Sequence, residues 1–343
     1  MNVLWHAMTW AFALLTLFAG AASAAELLVV NKSGASVTAL DPRNGATLRS
    51  WPTAPGPHEV AVSPDGARAV VAEYGPDRAA GNSLLLIELA SGAPSRIDLG
   101  DHRRPHGLAW LDDRRLLVSI EASAAVLIVD TTAGRIEAVI PTAQALPHML
   151  AVDSGRNRAY VSSIVDGDVA VIDLATHRVV SRIPTGAGAE GVAVHPATGI
   201  VWVVNRAAGT LSLIDPDSLA VVRSGPAGEF PIRVAFDSTG TRALVSDAAG
   251  GRVLMFSTPE AELIGAIDVR GYYDLANGIS MGGWLGRKPV PIGLIAAPGS
   301  VGTAFVALAH GGVVLELDLD RLQVRTQWRA GAEPDGLALT GGR

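Results

Sequence analysis

One short string returns along this chain at nearly constant spacing, and it limits what the chain can fold into. The string is Pro-x-x-[Val/Leu]-Ala-apolar. It appears at Pro57, Pro105, Pro147, Ala189, Pro231, Pro291 and Pro334, with Ala189 replacing the proline once and the Pro291 copy degenerate. The spacings are 48, 42, 42, 42, 60 and 43 residues. A second marker, an apolar run ending in an acid or serine, falls at Asp41, Glu88, Asp130, Asp173, Asp215, Ser257 and Asp318. Two independent markers share one period and one copy number. A period in the range of 20–50 residues means a repeat architecture.

Each unit holds four short runs rich in Val and Ile, bounded by Gly, Pro, Asn and Asp. In the fourth unit these are Gly191–His195, Ile200–Asn205, Thr210–Asp215 and Ala220–Ser224. No stretch sustains a helical period. Four strands in about 42 residues is the signature of a propeller blade. Apolar residues at 49% and charged residues at 17% allow a large core and exclude disorder. The many turns suit 38 glycines and 20 prolines.

Marker order at the ends predicts how the ring closes. Asp41 precedes the first anchor and Pro334 follows the last acid. The chain therefore starts with the second to fourth strands of one blade and ends with its first. Pairing Leu337–Thr340 with Leu27–Asn31 would remove two exposed sheet edges. The expectation is all-β: a seven-bladed β-propeller of four antiparallel strands per blade, one domain over residues 25–343.

The same repeats resemble a known family. Ile200-Val201-Trp202-Val203-Val204-Asn205, Ala159-Tyr160-Val161-Ser162 and Val169-Ala170-Val171-Ile172-Asp173 are similar to the 40-residue YVTN repeat. So are Ser63-Pro64-Asp65-Gly66 and Val179-Val180-Ser181-Arg182-Ile183. The resemblance covers nearly the whole chain after the leader and extends to periplasmic YncE-like and surface-layer-type propellers. It implies export and the binding of a ligand or partner. It implies no single reaction, since propellers host many functions.

The first 24 residues read as a secretory signal peptide. Met8 to Ala19 is an apolar run of 12 residues, followed by an A-x-A site at Ala22-Ser23-Ala24. The run is shorter than the about 20 residues that span a bilayer. A cleaved, exported, periplasmic protein is expected, with no membrane insertion after cleavage. With no cysteine, disulfides, thiolate metal sites, thiol catalysis and covalent c-type haem are excluded. A net charge of −6 supplies no basic field for nucleic acid. A monomer is the default.

The chemistry is expected where the first strands begin, at one mouth of the central channel. The residue after each anchor position forms a ring: His58, His106, His148, Glu190, Ile232, Ile292 and Asp335. Three of the eight histidines share this one repeat position. His58, His106, His148 and Glu190 are the expected ligands of a divalent transition metal, Zn, Cu, Fe or Mn, since imidazole and carboxylate suit such ions. A metal-free binding site and simple consensus packing of Pro-His remain alternatives. Glu59, Arg233, Tyr272 and Tyr273 are the residues that would act on a substrate if the chain is a metal-dependent lyase, hydrolase or oxidoreductase. Arg103, Arg104, Glu73, Glu121, His310, Trp284 and Asp335 are expected to contact a ligand. Asn205 and Asp247 end second strands on the same face. A third role is a scaffold for a periplasmic redox or envelope system.

The 60-residue spacing marks an insertion, Gly271–Lys288, carrying Tyr272, Tyr273 and Trp284. It is expected to form a lid over the mouth. The loop Tyr74–Asn82 would form the opposite wall. Two motif matches carry little. Gly186 to Gly191 fits G-x-G-x-x-G but precedes a strand rather than a helix. Gly278 to Gly282 fits G-x-S-x-G without a preceding strand. Trp110 and Trp202 lie on expected strands and read as core.

Overall fold

The computed structural model describes residues 25–273 and 289–341. They form seven sheets of four antiparallel strands, a seven-bladed β-propeller. The one helical turn among these residues is the 3-10 turn Glu121–Ser123. In blade four the strands are Ala189–Val194, Val201–Asn205, Thr210–Asp215 and Ala220–Pro226, within two residues of the expected runs.

Residue type decides each strand's place in its blade. Second and third strands are continuous apolar runs because both their faces are covered. Ala125–Asp130, for example, is buried at every position. Fourth strands form the outer edge, and their burial alternates, as along Arg135–Pro141. First strands pack against one another around the axis. Seven apolar cores lie between neighbouring blades. Between blades four and five, Trp202 meets the Phe236 ring at 5.6 Å. Trp110 packs against the core between blades one and two. Both tryptophans therefore belong to the cores.

Closure follows the expected pairing. Pro334–Leu339 lies against Leu27–Asn31, with Leu27 opposite Leu339 and Val29 opposite Leu337. Beyond the strands, Thr340 N–H donates to the Glu26 carbonyl at 2.9 Å, and Glu26 N–H donates to Thr340 Oγ1 at 2.8 Å. Blade seven is thus built from both ends of the chain. The expected leader and most of the expected lid, Trp284 included, lie outside the described residues. Of the insertion's described part, Tyr272 packs on the core between blades five and six, and Tyr273 is half exposed.

Candidate functional site

The ring arises from a repeated irregularity. In every blade the pairing of first and second strands shifts just past the anchor position. In blade one, Pro57 faces Glu73 and Val60 faces Val71, so His58 and Glu59 together oppose the single residue Ala72. This is a β-bulge, which re-aims side chains and leaves a backbone group unpaired. In three blades a serine on the second strand restores the lost bond. Ser119 Oγ accepts from Gly107 N–H at 2.8 Å and donates to the His148 carbonyl of the next blade. Ser162 donates to the Glu190 carbonyl, and Ser246 to that of Ile232's neighbour in the ring, Ile292, at 3.1 Å.

All seven residues after the anchor positions line one axial cavity of about 350 Å³. One position further on, space allows a side chain only in alternate blades. Glu59, Met149 and Arg233 carry side chains, while Gly107, Gly191, Gly293 and Gly336 fill the rest. A methyl group on Gly107 would stand 2.5 Å from the His148 carbonyl oxygen, a severe clash. Beneath the ring, Arg233 of blade five pairs with Glu59 of blade one and reaches Glu190 at 3.4 Å. The axis at this level is filled by that ion pair.

Three histidines stack in sequence around the ring. The His58 and His106 rings are 4.9 Å apart, and those of His106 and His148 are 3.8 Å apart. Their partners differ. His58 Nδ1 meets Asp335 Oδ2 at 3.1 Å across the closure. His148 is clamped between carboxylates, with Nδ1 at 2.7 Å from Glu121 and Nε2 at 3.3 Å from Glu190. His106 is buried, and its Nδ1 has no hydrogen-bond partner among the described residues. Asp335 Oδ1 and His310 Nδ1 are also buried without partners among the described residues.

The charges are strongly coupled. Burial disfavours a charged His148, but Glu190 and Glu121 outweigh it and raise its pKa. Burial lowers His106, and the neighbouring His148 and His58 lower it further. Burial also opposes charge on Glu190, yet His148, Arg206 and Arg233 hold it down to about 2. Glu121 is lowered likewise: burial opposes, and His148 and Tyr74 prevail. Burial pushes Glu59 up; Arg233 opposes this and Asp335 adds to it. Five buried carboxylates, Glu59, Glu121, Glu190, Glu333 and Asp335, face the three fixed cations Lys32, Arg206 and Arg233.

A wider outer cavity of about 600 Å³ opens above the histidines. Its lining includes the residues that follow the second strands: Lys32, Tyr74, Glu121, Ile164 and Arg206. Opposite these, Phe230, Ile232, Ala248, Val290 and Ile292 form an apolar wall. The mouth is therefore polar on one side and apolar on the other.

The structure sorts the expected site residues by these contacts. His58, His106, His148, Glu190, Arg233, Glu121, His310 and Asp335 converge on the two cavities, with Glu59 just beneath. Glu73 does not join them. It is fully buried and bonded to Ala54 N–H at 2.7 Å, Ser83 at 2.6 Å and Arg96 at 3.0 Å, so it anchors its own blade. Asn205 and Asp247 serve their loops in the same way. Arg103 is exposed and, among the described residues, its side chain reaches only the Ala80 carbonyl at 3.4 Å. Arg104 backs the cavity wall, 4.6 Å over the Tyr74 ring.

Sequence reasoning passed over Tyr74 itself, and also Lys32, Arg206 and Glu333. Tyr74 Oη donates to Glu121 at 2.5 Å, and its ring sits edge-on to His58 at 4.5 Å. Burial and then the Glu121 carboxylate raise its pKa, keeping it a neutral donor. The missed signal was positional: each of Lys32, Tyr74 and Arg206 immediately follows a second strand.

Among the described residues, one set of donors is grouped closely enough to hold a metal ion. Ligand atoms of His106, Glu121 and His148 lie within 4.8 Å of one another. Glu121 takes the place in this trio that the repeat pattern assigned to His58.

Residues 111–245, under half of the chain, match the cytochrome D1 heme domain family. No curated protein matches the chain. Among solved structures it is similar to Kuenenia stuttgartiensis hydrazine synthase, at 18% identity over 82% of this chain and 89% of that one, with a TM-score of 0.68. It is also similar to a functionally unknown protein from Desulfotomaculum acetoxidans DSM 771, at 12% identity, 92% and 98% coverage and a TM-score of 0.71. A third is dihydro-heme d1 dehydrogenase NirN in complex with DHE, at 16% identity and a TM-score of 0.63. That match covers 89% of this chain and 63% of that one. These likenesses show a β-propeller.

Proposed function

We propose that this chain is an exported, periplasmic propeller of the YVTN type that holds a divalent transition metal at its channel mouth and presents it to a small ligand. Residues 1–24 are its cleaved leader, and residues 25–343 form one domain acting as a monomer. The observation that carries the reading is the trio His106, Glu121 and His148, with His106 Nδ1 buried and unpartnered. A buried polar atom without a partner needs an explanation, and a bound cation supplies one.

Two nitrogens and one carboxylate oxygen suit Zn, Cu, Fe or Mn. The outer contacts fit the same reading. Tyr74 holds the second oxygen of Glu121, and Glu190 holds the far nitrogen of His148, so both ligands are oriented from behind. His58, paired to Asp335, stands beside the trio and faces the ligand cavity. Arg233 and Glu59 close the axis below, so ligand enters from the mouth alone. A bound metal supplies Lewis acidity there. The enzyme and scaffold readings differ in what then occupies the cavity.

A second reading places the metal inside a tetrapyrrole. The match of residues 111–245 to the cytochrome D1 heme domain family favours it, and that stretch contains Glu121, His148, Glu190 and Arg206. The half-apolar mouth fits such a body, and His106 offers a free nitrogen.

The two readings separate in one experiment. Protein purified without a histidine tag is analysed for metals, titrated with Co²⁺ after chelation, and titrated separately with hemin. Stoichiometric metal or a cobalt visible spectrum that disappears in His106→Ala supports the ion. A Soret shift lost in the same variant supports the tetrapyrrole. No saturable binding of either removes both.

A further inference from the structure

The backbone just before the first strands carries a separate signal. In five blades the residue preceding the anchor position adopts the left-handed conformation. Two of these are glycines, Gly56 with φ +68° and Gly188 with φ +77°. The other three carry side chains: Arg104 with φ 63°, Leu146 with φ 55° and Glu333 with φ 56°. For residues with a side chain this costs about 1–2 kcal/mol. Each of the three also precedes a proline, which disfavours helical-type backbone further. Glycine does the same task in blades one and four without strain, so the fold itself requires no side chain there.

All three side chains surround the outer cavity. Leu146 and Glu333 line it. Arg104 fixes its wall by donating to the carbonyls of Gly75 at 3.4 Å, Pro76 at 3.3 Å and Asp77 at 3.0 Å. Leu146 is 39% exposed, so core packing does not account for it. The same conformation carries side chains in outer hairpin turns at His177, Leu219, Ala261 and Leu322, so it is the placement of the exposed Leu146 on the cavity lining, with no packing role, that points to function.

The cavity's unused polar capacity is positive. Glu121 is engaged by His148 and Tyr74, and Glu333 by Ser33, while Asp77 stands exposed at the rim. Lys32 forms an ion pair with Glu333 at 3.8 Å, beyond hydrogen-bond reach, so its ammonium N–H groups are not donated to that carboxylate. Among the described residues, the Arg206 guanidinium donates through Nη1 alone, to Glu190.

We propose that the outer cavity is a subsite for an organic anion with an apolar body, and that Leu146 determines its specificity. The acid group lies between Lys32 and Arg206, and the body lies over Leu146, Ile164 and Tyr74. The inference rests on the mouth being the binding site but not on a metal being present.

The test uses 8-anilinonaphthalene-1-sulfonate and its uncharged counterpart, N-phenyl-1-naphthylamine, on chelator-treated protein followed by fluorescence. The sulfonate should bind with one-to-one stoichiometry, raise the melting temperature, and bind at least about tenfold more tightly than the amine, a difference of about 1.4 kcal/mol. Lys32→Met should weaken the sulfonate and leave the amine unchanged. Leu146→Gly should keep or raise the melting temperature and weaken sulfonate binding roughly tenfold, the value of one apolar side-chain contact. Equal affinities for the two probes would overturn the charge assignment. A Leu146→Gly variant that melts lower, or that melts higher with unchanged binding, would overturn the role of Leu146. Because the metal has been removed, failure of the metal reading leaves these outcomes readable.

Discussion

Glu190 is the most heavily used residue of the mouth. It accepts from His148, Arg206 and Arg233, drawn from blades three, four and five. Its folded pKa of about 2 lies below the ordinary glutamate value of 4.5. A depressed carboxylate stabilises the fold above its unfolded pKa, and that contribution is lost as pH falls from about 4.5 through about 2. His148 has the opposite sign. Its pKa is raised, so its contribution is complete below the unfolded value of 6.5 and is lost as pH rises through the folded pKa. The pair therefore stabilises most between about pH 4.5 and 6.5. Glu190→Gln should cost on the order of 3 kcal/mol in that window, because it leaves buried cations unpaired. Urea midpoints of both proteins across pH 2 to 7 check this. The gap should shrink towards pH 2, and a constant gap would mean that Glu190 acts by packing and not by charge.

The inner strands show what a sequence pattern can and cannot carry. The ring of residues after the anchors was legible because duplication repeats it at one position, so His58, His106, His148, Glu190 and Asp335 could be placed from spacing alone. The bulge was not legible. It is a property of pairing between strands, and it alone explains why Glu59 and Arg233 also face the axis. The partners of Glu121 were invisible for the same reason. Nothing local tells that Glu121 joins His106 and His148, whereas ring order alone puts Asp335 beside His58 across the closure. Glu73 and Glu121 look alike as acids near the ends of second strands, yet Glu73 is consumed by Arg96, Ser83 and a loop N–H. The bulge also yields a prediction. Ser119→Ala strips the partner from Gly107 N–H and from the His148 carbonyl, both buried. Unsatisfied buried groups cost about 1–3 kcal/mol. The variant should lose that much stability by denaturant unfolding, and should bind Co²⁺ more weakly because the His148 backbone is no longer tied to blade two. Unchanged stability would show that water replaces the hydroxyl.

A propeller has no central helix or disulfide to hold its ring, so stability depends on the seven cores between blades and on the one place where the ring is closed by pairing distant segments. Here that place is blade seven, where Pro334–Leu339 joins Leu27–Asn31. The same strand packs against Pro291–Ala296 on one side and Pro57–Val62 on the other. Leu337 belongs to the core with blade six, and Ala338 to the core with blade one. The strand also carries Asp335, the partner of His58, so closure and site are physically joined. Removing residues 331–343 would expose Leu27–Asn31 as an open edge, open both cores and leave His58 without its carboxylate. Each lost core is worth several apolar side chains at about 1.5–3 kcal/mol apiece, comparable to the whole stability of a typical domain. The truncated protein should therefore melt far lower and less cooperatively, with the open edge promoting association. A peptide of residues 331–343 added back should restore part of the melting temperature by pairing with that edge. An unchanged melting curve for the truncated protein would mean that the ring is held by its inter-blade cores without the strand that closes it.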